Sequence, residues 1–201
     1  MTESKAYAII MSAESVRAIL ADTKTMTRRL LKLPDWVMTD REEDVAVAVA
    51  QLSQHGGLAL MEDGRPKRRF TLPWWVGRQL WVRETHYVWN AGNNDGSGKQ
   101  IDYQASTPDA PCSWTSSMFM PRSASRITLE VVSTRIERVQ EISEEDAIKE
   151  GVKAAPFTKS GRATNLLHVA TFENTWNSLH GPGAWVSNPW VVVIEFKRIE
   201  G

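Results

Sequence analysis

The sequence predicts an α+β fold, a small mixed β-barrel with peripheral helices and one insertion. Three observations carry this. Short apolar runs bounded by turn residues recur along the chain. Only two or three segments space their apolar residues as a helix does. The composition is globular, with 201 residues, 42% hydrophobic and 24% charged, which suits a single domain over 1–201 interrupted by an insertion at 34–70. The same figures exclude a disordered tail, a collagen-like fibre and a coiled coil.

The elements follow in order. Residues 1–11 read as a strand, with apolar Ala6 to Met11. Ser12 caps a short helix over Ala13 to Ala21, Glu14 favours its first turn, and Val16, Ile19 and Leu20 share a face. Asp22-Thr23 ends it, and Lys24 to Leu30 is extended in character. In the insertion, Asp40 or Asp44 starts a helix with Val45, Val49 and Leu52 on its apolar face, stopped at Gly56-Gly57. Leu58 to Met61 is a short strand and Asp63-Gly64 a turn. Gln79 to Glu84 alternates Leu80 and Val82 with Trp81 and Arg83. Residues 90–100 and 106–118 are loops around a strand at Ile101 to Ala105. Ile127 to Ile142 is one long strand, or two joined by a bend. Ser143-Glu144-Glu145-Asp146 matches a capping box for a helix that runs to Glu150 and stops at Gly151. Leu166 to Leu179 is a second amphipathic helix, closed by Gly181-Pro182-Gly183, and Pro189 to Ile199 is the last strand.

Charge and composition narrow the function. Lysine and arginine total 24, as do aspartate and glutamate, which argues against indiscriminate coating of nucleic acid. Locally the balance breaks: residues 65–90 hold Arg65, Lys67, Arg68, Arg69, Arg78 and Arg83 against Glu84, together with Trp74, Trp75, Trp81 and Trp89. Nine tryptophans either build a core or stack on a flat ligand. No apolar run is long enough to span a membrane, and no signal-peptide pattern opens the chain, so a cytoplasmic protein is expected. One cysteine, Cys112, makes neither a disulfide nor a zinc site alone. His55, His86, His168 and His180 lack metal-ligand spacing, so neither metal nor cofactor is expected. No phosphate-binding glycine loop or G-x-S-x-G elbow appears.

The densest polar cluster is Lys24-Thr25-Met26-Thr27-Arg28-Arg29. If extended, it puts Thr25, Thr27 and Arg29 on one face and Lys24, Met26 and Arg28 on the other. A threonine hydroxyl becomes a nucleophile when a lysine takes its proton, and cationic neighbours such as Arg28 and Arg29 favour a neutral lysine. The same groups suit anion or base binding, and a solvated basic edge strand has the same composition. Trp81 and Arg83 share a face, and an aromatic plane beside a guanidinium can hold a nucleobase. Equally, Trp81 can be core with Arg83 paired to Glu84 or another acid. Glu150, at a helix C-terminus, opposes the dipole and gains from a cation, with Lys24 one candidate. The run Arg65 to Arg69 reads as a phosphate contact or a solvated loop.

These pieces, in this order, resemble an ASCH domain of the PUA-like superfamily. The matching stretches are Ala21-Asp-Thr-Lys-Thr-Met-Thr-Arg-Arg29, Val76-Gly-Arg-Gln-Leu-Trp-Val-Arg-Glu84, Ser125-Arg-Ile-Thr-Leu-Glu-Val131, Ile142 to Gly151 and Asn188 to Lys197. Met120-Pro-Arg-Ser-Ala-Ser-Arg126 and Asn188-Pro-Trp190 resemble phage and prophage members. The resemblance implies a PUA-like barrel with a cleft for a nucleoside or RNA. Some bacterial members remove the acetyl group of N4-acetylcytidine, and another is described as a ribonuclease. In the amidohydrolase a lysine, a threonine three residues on and a glutamate after the next helix form the active site. These fall on Lys24, Thr27 and Glu150, and the motif's next arginine falls on Arg29. Thr25, Arg29, Trp81, Arg83, Glu84 and Arg122 are the implied substrate-binding set. The family often has glycine just before the Lys-Thr element, where this chain has Asp22, a residue that tolerates a left-handed turn.

The resulting expectation is an amidohydrolase acting on an N4-acylated cytosine nucleoside. The alternatives are a non-catalytic module that binds RNA or a modified base, and a metal-independent ribonuclease.

Overall fold

The structure, a computed structural model, describes residues 6–34, 57–62, 65–90, 98–154 and 167–199. The helix expected around Val45, Val49 and Leu52, and the Asp63-Gly64 turn, lie outside them. The strands are β1 (Tyr7–Ile10), β2 (Met26–Leu30), β3 (Gly57–Glu62), β4 (Arg65–Thr71), β5 (Gln79–Arg83), β6 (His86–Asn90), β7 (Lys99–Tyr103), β8 (Thr128–Arg138) and β9 (Trp190–Ile199). The helices are α1 (Ala13–Leu20), α2 (Glu144–Lys149) and α3 (Leu167–His180). Five strands form one mixed sheet in the order β1-β5-β8-β9-β2, and β3-β4 and β6-β7 form two-stranded ribbons. The fold is therefore α+β, and no closed barrel is found among the described residues.

The chain divides into two compact units. The first holds the chain up to Thr25, Gly77–Val131 and the chain from Phe196; the second holds Met26–Val76 and Val132–Glu195.

In the first unit β1 pairs parallel with β5, and β5 antiparallel with β8. Ser12 caps α1 as its spacing predicts: the Ser15 N–H donates to Ser12 Oγ at 3.2 Å. Val16 and Ile19 turn that helix onto a core with Ile9, Leu80, Val82, Ile127 and Leu129, all buried. The exit from α1 is tight. Asp22 sits at φ 54°, and the N–H groups of Thr23 and Lys24 both donate to the Ala18 carbonyl, at 2.9 and 3.1 Å. Asp22 thus adopts the left-handed turn for which glycine is the usual residue. The strand expected at Ile101 to Ala105 is shifted to Lys99–Tyr103, because the Tyr103 carbonyl already closes a turn with the N–H groups of Ser106 and Thr107. Its partner β6, unread in the sequence, runs antiparallel to it from His86↔Tyr103 to Asn90↔Lys99.

In the second unit β2 pairs antiparallel with β9, from Met26↔Glu195 to Leu30↔Val191. Val191 to Ile194 are all buried, which explains the unbroken apolar run: a strand covered on both faces does not alternate. Met26, Val191 and Val193 join Val139, Ile142, Ala147, Phe172 and Trp176 in one core. Ser143 caps α2, its Oγ accepting from the Asp146 N–H at 3.1 Å. The first residue of α2 then serves α3: the Glu144 carboxylate accepts the N–H groups of His168 and Val169 at 3.1 and 3.0 Å and meets His168 Nδ1 at 2.9 Å. Arg65 to Arg69, expected as a loop, lies in β4, where it pairs with β3 across a bulge at Leu60/Met61. The β-pairing of a hairpin overrides the loop composition.

Candidate functional site

The alternation of β2 decides the centre of the second unit. Met26 and Arg28 share a face, Met26 joins the core, and the Arg28 guanidinium lies 5.8 Å from the Phe172 ring centroid. Three carboxylates surround it. Nη2 donates to Glu137 Oε1 and Asp146 Oδ2, both at 2.6 Å, and Nη1 to Glu150 Oε1 at 3.3 Å. Nε also reaches Glu137 Oε1 at 3.0 Å, and Nη1 the Met26 sulfur at 3.4 Å. Arg135 braces the cluster from β8 through Glu137 Oε2, at 2.7 Å, and Asp146 Oδ2. The Arg28 side chain has no exposed surface. Arg28 thus supplies the cationic partner that Glu150's place at a helix end demands, a role for which the sequence offers Lys24 as one candidate.

Among the described residues six polar or charged side chains are buried: Lys24, Thr27, Arg28, Glu84, His86 and Glu150. All three residues expected to be catalytic are in this set. Lys24 and Thr27 are each 5% exposed and Glu150 7%. Lys24 lies next to the end of the first segment of the first unit, just beyond the Asp22 turn. Thr25 is exposed, and its carbonyl accepts the Phe196 N–H at 2.9 Å. Thr27 lies on β2 opposite Ile194. Glu150 ends α2, and Gly151 behind it takes φ 78°. Arg29 is half-buried; burial lowers its pKa, and the Glu150 charge acts in the opposite sense. His180, at the end of α3, has its pKa lowered by burial and then by the Arg29 charge.

The remaining expected residues gather in the first unit. On β5, Leu80 and Val82 are buried while Trp81 and Arg83 lie half-buried on the other face. The Arg83 guanidinium is 5.3 Å from the Trp81 ring centroid and that of Arg122 is 5.9 Å from it. Arg83 donates to the carbonyls of Met118 and Met120, not to an acid. Arg122 donates to Thr128 Oγ1 at 3.2 Å. Met118 and Phe119 beside them are 60% and 72% exposed. Glu84 does not join this surface. It is 1% exposed, and Arg126 grips both of its oxygens, at 2.9 and 3.0 Å. Arg126 also stacks 4.0 Å from the Tyr103 centroid. Burial raises the Tyr103 pKa, with Arg126 opposing and Glu84 adding to the shift. The sequence expects Glu84 at the substrate; its place in the core instead fits it to hold Arg126.

Sequence reasoning missed Glu137, Asp146 and Arg135, and gave Arg28 only a neighbour's role. The signal was present in part: Arg135 and Glu137 alternate onto one face of β8, and Asp146 and Glu150 stand one helical turn apart on α2. Cys112 is half-buried in its loop, and desolvation, then the Asp102 charge, raise its thiol pKa, which makes it a poor nucleophile. Among the described residues no group of three or more His, Cys, Asp or Glu is placed to hold a metal ion, and no helix is long and apolar enough to cross a membrane.

No family model matches the chain, and no curated protein does. The chain is similar to the crystal structure of an ASCH domain from Lactobacillus crispatus JV V101, at 16% identity and a TM-score of 0.31, over 90% of this chain and 67% of that one.

Proposed function

We propose that this protein acts on a nucleoside or RNA base, and that it hydrolyses the amide of an N4-acylated cytosine nucleoside. The observation that supports this most is the burial of Lys24, Thr27 and Glu150. Burying a polar or charged group costs free energy that a surface position does not, and here that cost falls on the three residues the ASCH-like motif assigns to catalysis. The Asp22 turn lends further support, since its φ of 54° is one that glycine, the residue often found there in the family, adopts freely.

In this reading Lys24, as the neutral amine, takes the Thr27 hydroxyl proton while Oγ1 attacks the acyl carbon. Arg29 and backbone N–H groups stabilise the oxyanion. The C–N bond then breaks, the exocyclic amine leaves with a proton relayed by Glu150, and the acyl group remains as an ester on Thr27. Water, giving its proton to Lys24, attacks that ester; the C–O bond to Thr27 breaks, Lys24 returns the proton to Oγ1, and the carboxylic acid is released. Arg28 orients the Glu150 carboxylate through Oε1. Trp81, Arg83 and Arg122 hold the base or its flanking phosphates, Thr25 adds a donor, and Glu84 fixes Arg126.

The test is incubation with N4-acetylcytidine, read by chromatography and mass spectrometry. Wild type is expected to yield cytidine and acetate, and Thr27→Ala and Lys24→Ala to yield none. Turnover retained in Thr27→Ala would remove the nucleophile, and no turnover by wild type at high enzyme concentration would overturn the hydrolase.

A second reading, base or RNA binding without catalysis, is favoured by the two guanidinium groups on Trp81. It predicts salt-sensitive binding of a labelled oligonucleotide, weakened by Arg83→Ala and Arg122→Ala, with no product. Cleavage of plain RNA in the presence of a chelator would point to the ribonuclease instead.

A further inference from the structure

A second site lies in the second unit, apart from the residues just described. A cavity of about 380 Å³ is lined by Leu30, Trp176, His180, Pro182, Gly183, Ala184, Ser187 and Pro189, within the size range of small-molecule pockets. Lys24, Thr27, Glu150 and Trp81 do not line it.

Its walls are fixed before any ligand arrives. The loop after α3 is tied by the N–H groups of Ala184, Ser187 and Asn188 to the carbonyls of Gly181, Gly183 and Trp185, at 3.2, 3.1 and 3.0 Å. Asn177 Oδ1 accepts the Trp185 N–H at 2.9 Å, and Gln140 Nε2 donates to the Trp185 carbonyl at 2.9 Å. Arg138 Nη1 donates to the Asn188 carbonyl at 3.0 Å. Gly183 takes φ 81°, and a Cβ there would meet nothing within 4 Å.

The lining chemistry selects the ligand. Among the described residues none of its lining is a lysine, an arginine or a carboxylate, so the walls themselves offer a charged ligand no counter-charge. Rings line it: Trp176 and His180 lie with centroids 4.2 Å apart and planes tilted by 44°, and two prolines complete the walls. Burial and then the Arg29 charge lower the His180 pKa, which disfavours its charged form. Trp176 is 3% exposed, and its Nε1–H is buried with no hydrogen-bond partner. An orphaned buried donor is rare and costly.

From this geometry we propose that the cavity is a binding site for an uncharged, planar heteroaromatic ring carrying a hydrogen-bond acceptor, which packs on the exposed His180 ring and accepts from the Trp176 indole N–H. The ligand thereby satisfies a donor that the fold leaves unpaired.

Quinoline, a flat uncharged ring with one acceptor, is the probe, and naphthalene, of the same shape without the acceptor, is the control. The full chain is labelled with nitrogen-15 and its indole N–H signals are followed in two-dimensional spectra. Trp176 is identified by the signal missing in Trp176→Phe, or by sequential assignment should that variant fail to fold. Quinoline is expected to shift the Trp176 signal saturably, and naphthalene not to. Trp176→Phe should bind quinoline about tenfold more weakly, the loss that one hydrogen bond represents. Ser187→Phe, built on an exposed rim residue to fill the cavity, should abolish the shift. Absence of a saturable shift, an equal response to naphthalene, or binding retained in Ser187→Phe would each overturn the proposal.

Discussion

Arg28→Met isolates what the guanidinium cluster contributes. Methionine keeps an unbranched apolar stem against Phe172 and removes every donor. In the wild type those donors meet Glu137, Asp146 and Glu150 from a side chain with no exposed surface. Deleting one partner of a buried ion pair costs about 3–5 kcal/mol, because the remaining charge stays buried. Here Arg135 still holds Glu137 and Asp146, and these two side chains are 12% and 15% exposed, so they regain some hydration. Glu150, whose side chain is 5% exposed, loses one of its cationic neighbours and keeps the Arg29 charge. The expected destabilisation is therefore at the lower end, about 3 kcal/mol. For a chain of this size that lowers Tm by about 6–12 °C. Denaturant unfolding followed by near-ultraviolet circular dichroism measures it. The deficit should persist at high salt, since buried pairs are weakly screened. A loss below about 1 kcal/mol, the range of an exposed pair, would refute the assignment of Arg28 as the buried hub.

Other expectations follow from single contacts. Glu144 is partly buried, which opposes ionisation, but the N–H groups of Val169 and His168 and the His168 ring outweigh this and lower its pKa from 4.5. A lowered carboxylate pKa stabilises the fold above the unfolded value, and the contribution is lost as pH falls through the folded one. Glu144→Gln should therefore be less stable than wild type at neutral pH, with the gap closing in acid; a gap constant with pH would contradict this. Asp22→Ala should cost about 1 kcal/mol through its φ of 54°. Asp22→Gly should be near neutral, since the Arg198 contact it removes, at 3.3 Å, is exposed and worth little. Equal melting temperatures for the two variants would show that the turn carries no strain. Thr27→Ala should end turnover of N4-acetylcytidine while its denaturant midpoint stays close to wild type; a large fall in stability would make the loss of activity structural.

Local physics was legible in the sequence. Ser12 and Ser143 cap the helices their spacing marks, because a hydroxyl before an apolar-periodic run satisfies a free N–H. The β2 alternation follows from the two-residue period of a strand, and the Asp22 turn from the tolerance of aspartate for positive φ. The face shared by Trp81 and Arg83 was equally readable, and they meet at 5.3 Å. What sequence could not supply was the identity of partners far along the chain. Arg28 and Glu150 stand 122 residues apart, and no local rule brings that pair together. Glu84 offered itself as a partner for its neighbour Arg83, yet packing placed it in the core with Arg126, 42 residues away. The basic run at Arg65 to Arg69 has loop composition and forms a strand, because hairpin pairing outweighs weak local propensity. Propensity, capping and alternation act over a few residues and are written in the sequence; which buried charges neutralise one another is settled only when the folded chain brings them within a few ångströms, and that the tertiary structure alone decides.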